Sequence, residues 1–150
     1  MVDKNMHIVD MPEKPHVMLK ELTERLTGRW RVTGPEIDGK AEHRPVKGGL
    51  LLVSDVDFVV GGTKMKIIQQ IAYDPDTDTL RARYMDTMGD NSTYTWVLDG
   101  QKFRVSQGDK DSDTYFEATF NDDNSEYIGI WHYPDGDDND DEQIKYKRIK

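Results

Sequence analysis

Beyond Gly28 the three-to-four residue hydrophobic period disappears from this chain and does not return. In its place come short β-branched and aromatic runs separated by turn clusters, at the spacing of an antiparallel meander. The runs read as strands are approximately 29–33, 40–46, 49–60, 64–73, 79–87, 92–98, 101–107, 113–120, 126–133 and 142–149. Their separators carry turn chemistry: Gly34-Pro35, Asp38-Gly39, Gly61-Gly62, Asp74-Pro75-Asp76, Gly89-Asp90-Asn91, Asp99-Gly100, Gly108 to Ser112, Asn121 to Asn124 and Pro134-Asp135-Gly136. About ten strands without crossover helices leave costly edges in an open sheet, and closure removes them. The expected fold is all-β: a single antiparallel up-and-down β-barrel of about ten strands with one N-terminal α-helix.

That helix lies between Pro15 and Thr27, where Met18, Leu19, Leu22 and Leu26 face one way and Lys20, Glu21, Glu24 and Arg25 the other. Pro15 suits its first turn and Gly28 stops it. Residues 1–14 show no period and read as a flexible arm, leaving 15–150 as one barrel domain. In Gly28-Arg29-Trp30 the glycine permits a close turn and the indole of Trp30 is expected to plug one end of the barrel.

The strand phase suggests which side chains enter the interior. Leu50, Leu52, Val56, Phe58 and Val60 oppose Asp55 and Asp57, and Met65, Ile67, Gln69, Ile71 and Tyr73 oppose Lys64 and Lys66. Ala82, Tyr84, Asp86 and Met88 oppose Arg81 and Arg83, Tyr94, Trp96 and Leu98 share a face, and so do Phe116, Ala118 and Phe120. Residues 126–133 are ambiguous, because Tyr127, Trp131 and Tyr133 oppose Ile128 and Ile130.

Charge bounds the partners. A net charge of −9 leaves no basic face for nucleic acid, and no apolar run is long enough to span a bilayer. Lys145, Lys147, Arg148 and Lys150 form a basic cluster that reads as a solvated edge strand blunted by lysines. The N-terminus lacks the apolar segment of a signal peptide and cysteine is absent, so a soluble, cytoplasmic protein is expected.

Pro15-His16, the leucines at 19, 22 and 26, and Gly28-Arg29-Trp30 together resemble the opening of a bacterial family of unknown function among the lipocalin-like, or calycin, β-barrels. The likeness continues through Ala72-Tyr73-Asp74, Tyr84-Met85-Asp86-Thr87-Met88-Gly89 and Ile144-Lys145-Tyr146-Lys147-Arg148, in order across residues 15–149. It implies a barrel with an N-terminal helix lidding or plugging one end and no assigned activity. Ala72 replaces the family's usual glycine, and the 135–142 loop is unusually acidic.

Candidate chemistry is sparse. Asp86, inward-facing two residues from Tyr84, could act as a general acid or base, or could cap the Thr87-Met88-Gly89 turn. Gln69 is either a ligand-orienting amide or a satisfied core amide. His132, beside Trp131 and Tyr133, could be an axial ligand to haem or a solvated strand histidine. His7, His16 and His43 offer no zinc-type pairing. The acidic runs at 74–78, 109–113 and 137–142 lack the glycine, glutamate and flanking helices of an EF-hand loop, and no nucleophile elbow or phosphate-cradling loop occurs. No cofactor or metal is expected.

The first functional expectation is a non-enzymatic barrel holding a small apolar or amphipathic molecule between Ile67, Gln69, Tyr84, Asp86, Tyr94, Trp96, Phe116 and Phe120. The second is an enzyme using Asp86 for proton transfer in the same cavity. The third is a structural or interaction protein whose barrel is filled by its own aromatics, and cavity volume separates it from the other two.

Overall fold

The computed structural model describes residues 14–134 and 142–149, so all but the last residue of the arm expected at 1–14, most of the acidic loop with the Asp135-Gly136 turn, and Lys150 of the basic cluster lie outside the described residues. Among the described residues one helix, α1 (Val17–Leu26), precedes ten strands. They are β1 (Gly28–Thr33), β2 (Ile37–Pro45), β3 (Leu52–Val60), β4 (Thr63–Asp74), β5 (Thr79–Asp86), β6 (Asn91–Asp99), β7 (Lys102–Gln107), β8 (Tyr115–Phe120), β9 (Glu126–His132) and β10 (Ile144–Ile149). Every strand pairs antiparallel with its neighbours in sequence, and β1 pairs with β10 from Arg29↔Ile149 to Thr33↔Lys145 to close the barrel. The up-and-down barrel expected from the turn spacing is the fold observed. A ten-strand barrel with one helix is consistent with a calycin-like plan.

Closure corrects the reading of the C-terminal basic cluster. β10 is not an edge, because its other side pairs with β9. Lys145 and Lys147 do face solvent, whereas Arg148 turns to the closed end of the barrel. Its guanidinium lies 4.2 Å from the Trp30 ring and donates to Thr27 O (2.6 Å), Arg25 O (2.7 Å) and Asn124 O (3.2 Å). One residue thus satisfies carbonyls at the C-terminus of α1 and ties the helix to the β8–β9 turn.

The same junction explains Gly28. Its φ is +127°, and a Cβ there would stand 2.7 Å from Arg148 Nη1, so any side chain would displace the guanidinium. Trp30 is fully buried beneath it, donates to Leu26 O (2.9 Å) and meets Tyr127 edge-on at 4.9 Å. Leu19, Leu22 and Leu26 point the same way and are buried, so α1 and Trp30 seal this end. Pro15 lies one residue before the helix cap rather than inside the first turn. The cap is His16, whose Nδ1 accepts from Met18 N at 3.1 Å and whose ring stacks on Tyr73 at 3.7 Å.

The phase predicted for β4, β6 and β8 matches the observed burial. Two ends differ. Leu50 belongs to a connection that contains a 3₁₀ turn (Lys47–Gly49), because β3 starts only at Leu52, and Met88 lies past the end of β5, exposed in the turn. The ambiguity in β9 resolves with Tyr127, Gly129 and Trp131 inward and Ile128 outward. Gly129 makes room for an aromatic: a Cβ there would lie 2.3 Å from the Phe116 ring.

Candidate functional site

The barrel is hollow. A cavity of about 930 Å³ occupies its interior, bounded by Phe103, Tyr127 and Tyr146 toward the helix and by Pro35, Glu36 and Ile37 at the opposite mouth. An interior of this size removes the filled-barrel reading, since ten strands enclose more space than their side chains occupy. The wall is mostly apolar and carries few polar groups, the usual make-up of a small-molecule site.

Strand register arranges those polar groups in one row. His43 pairs with Ser54, Ser54 with Gln69 and Gln69 with Tyr84, across four consecutive strands. All four side chains line the cavity. Over β2 to β4 the row on the mouth side, Ala41, Val56 and Ile67, is apolar and lines the cavity before reaching Asp86 on β5, and Leu52, Ile71 and Ala82 form an apolar row on the helix side. Because barrel strands tilt, a row perpendicular to them climbs the wall. It starts at His43, opposite Gly28 and the helix, and ends at Tyr84, two residues from the mouth.

Each member has a defined bonding state. His43 is 4% exposed and its Nδ1 lies 2.6 Å from Ser54 Oγ, while Nε2 has no partner among the described residues. Burial, with the charge of Arg148 nearby, lowers its pKa from 6.5 to about 4, so the ring is neutral. Trp96 Nε1 donates to Gln69 Oε1 at 3.2 Å, which orients the amide, since indole N–H can only donate. Tyr84 Oη donates to Asp86 Oδ2 at 2.7 Å, and burial plus this carboxylate hold the phenol well above its ordinary pKa.

Of the predicted site residues, Ile67, Gln69, Tyr84, Trp96 and Phe116 line the cavity, and Asp86, Tyr94 and Phe120 do not. Asp86 sits at the end of β5, where Oδ1 accepts from Met88 N (2.9 Å) and Asp90 N (3.1 Å) and Oδ2 from Tyr84. These are the bonds of a turn cap. Tyr94 is packed between Tyr84 (4.8 Å) and Trp131 (6.5 Å), and burial pushes its pKa up to about 12, helped by Asp90 and Asp86. Phe120 lies toward the closed end against Phe103 and Tyr127, with the Arg25 guanidinium 5.7 Å away.

His132 is on the outward phase of β9, stacked on Tyr115 at 4.6 Å, so its ring does not face the space a haem would need. Among the described residues the interior histidine is His43. Its signal was present in the alternation of Ala41 and His43 with Lys40, Glu42 and Arg44. Ser54 was legible the same way, sharing the phase of Leu52, Val56 and Phe58.

Among the described residues no helix is long and apolar enough to cross a membrane. No protein-family model matches the chain, and no curated protein matches it.

Proposed function

We propose that this protein binds a small amphipathic molecule inside the barrel without transforming it. The observation that carries the reading is the cavity of about 930 Å³, apolar for most of its wall and reached through a mouth opposite the helix. The occupant's apolar body packs against Val56, Phe58, Ile67 and Phe116, and its polar atoms meet the row from His43 to Tyr84. The carboxylate of Asp86, engaged by three donors in a turn, supports a binding role over proton transfer. Absence of cysteine agrees with a reducing, cytoplasmic setting.

Native mass spectrometry of the purified chain tests this directly, paired with thermal melting in the presence of lipids and hydrophobes. A mass excess lost on denaturation is expected. So is a rise in Tm of about 5–10 °C with a fitting ligand at 100 times its Kd. A bare mass together with no shift across the panel would overturn the reading.

A further inference from the structure

The polar row ends, toward the helix, in hydrogen-bond donors without acceptors. Gln69 commits Oε1 to Trp96, and its NH₂ group makes no hydrogen bond among the described residues. At His43 the tautomer follows from satisfaction of both partners. If Ser54 donates to Nδ1, only the Nε2–H is left over. If Nδ1–H donates to Ser54, both the serine proton and the Nε2 lone pair are stranded in a buried site. The first arrangement is favoured, so His43 presents a donor.

The charges around the cavity are asymmetric in the same sense. Arg148, close enough to His43 to act on its ring, bonds only to backbone carbonyls and forms no ion pair among the described residues. Among the described residues the charged side chains in the lining, Glu36 and Glu142, both stand at the mouth. An anionic group is therefore attracted toward the closed end and repelled from the rim.

We infer that the occupant is a monocarboxylic amphiphile bound head-inward, its carboxylate accepting from Gln69 Nε2–H and His43 Nε2–H and its chain running along the apolar wall of Ala41, Val56 and Ile67 to the mouth. This rests on the binding function proposed above and names the class of ligand. The neighbouring row on the mouth side, Ala41–Val56–Ile67, lines the cavity and provides an apolar track beside the polar one. Asp86 belongs to the mouth turn, so it adds to the rim's repulsion of an anionic head.

The test uses a neutral fluorescent hydrophobe, N-phenyl-1-naphthylamine, displaced from the full-length protein by tetradecanoate or by its methyl ester. The acid is expected to compete about tenfold better than the ester, the difference of one charge-assisted hydrogen bond. Gln69→Met and His43→Leu, each checked for cooperative melting, are expected to bring the acid-to-ester ratio to within about twofold of unity. If the fluorophore does not bind the wild-type chain, the binding function itself fails. If it binds but acid and ester compete equally, the head-inward assignment is wrong while the binding function stands. Retention of the wild-type ratio in folded Gln69→Met also overturns the assignment, and because the acid-to-ester comparison is made on the unaltered chain, it survives a variant that does not fold.

Discussion

His43 links the chemistry of the cavity to the stability of the fold. Its pKa is lowered from 6.5 to about 4, so between those values the unfolded chain takes up a proton that the folded chain refuses. Stability therefore falls as pH drops through this window, by about 2 kcal/mol between pH 7.5 and pH 5. Chemical denaturation at the two pH values measures it, and His43→Leu is expected to remove most of the difference. Asp123, an exposed carboxylate held below its usual range by Ser125, acts in a separate window: its contribution is lost only as pH falls below the ordinary carboxylate value. Gly28 is constrained from two sides. Its side-chain direction is already occupied by Arg148 and its φ is in the region that favours glycine, so Gly28→Ala is expected to cost about 1–3 kcal/mol. In an Arg148→Met background the cost should shrink without vanishing, because the clash disappears and the backbone conformation remains. A full, undiminished cost in the double mutant would show that Arg148 does not crowd this position.

The helix is the element that turns an open-ended barrel into a cup. Three leucines give it an apolar stripe, Trp30 and Arg148 bind its last carbonyls, and Arg25 reaches across to the carbonyl of Gly100 in the β6–β7 turn. A ten-residue helix is marginal in isolation, so this packing supplies its stability. Leu22→Ala, at a fully buried position, is expected to cost about 2–5 kcal/mol by leaving a cavity under the helix, read from a urea denaturation midpoint. Hydrogen exchange should show the greatest loss of protection in α1 if the helix can detach while the strands hold, a pattern of local opening distinct from global unfolding.

For the whole molecule, closure and hollowness come from one geometric fact. Ten strands joined edge to edge expose no unpaired ladder, and they enclose a volume their own aromatics do not fill. The space can be altered without altering the wall. Ile67→Trp places an indole into the cavity from a position beside the polar row, where empty volume receives it. The expected result is at least about a tenfold loss of hydrophobe affinity with Tm changed by only a few degrees, since overpacking costs most where no space exists. An equal loss of both would mean that the interior is not free to accept a larger side chain.

The strand count, the antiparallel order, the helix before the barrel and most inward faces were legible from local signals: a two-residue period, turn dipeptides, and leucines at helical spacing before Gly28. These are properties of neighbouring residues, and short-range sterics and hydrophobic patterning suffice to set them. The site was legible only in part. Five of its expected residues line the cavity, but Asp86 was drawn to a turn by nearby N–H groups, and Tyr94 and Phe120 are buried by packing that alternation does not encode. What tertiary structure alone decided was register. No local rule sets His43 against Ser54, Ser54 against Gln69 and Gln69 against Tyr84, because these partners are separated by whole strands and meet only when the barrel closes. The same closure brings Arg148 from the far end of the chain onto Gly28 and Trp30, where it fixes the helix.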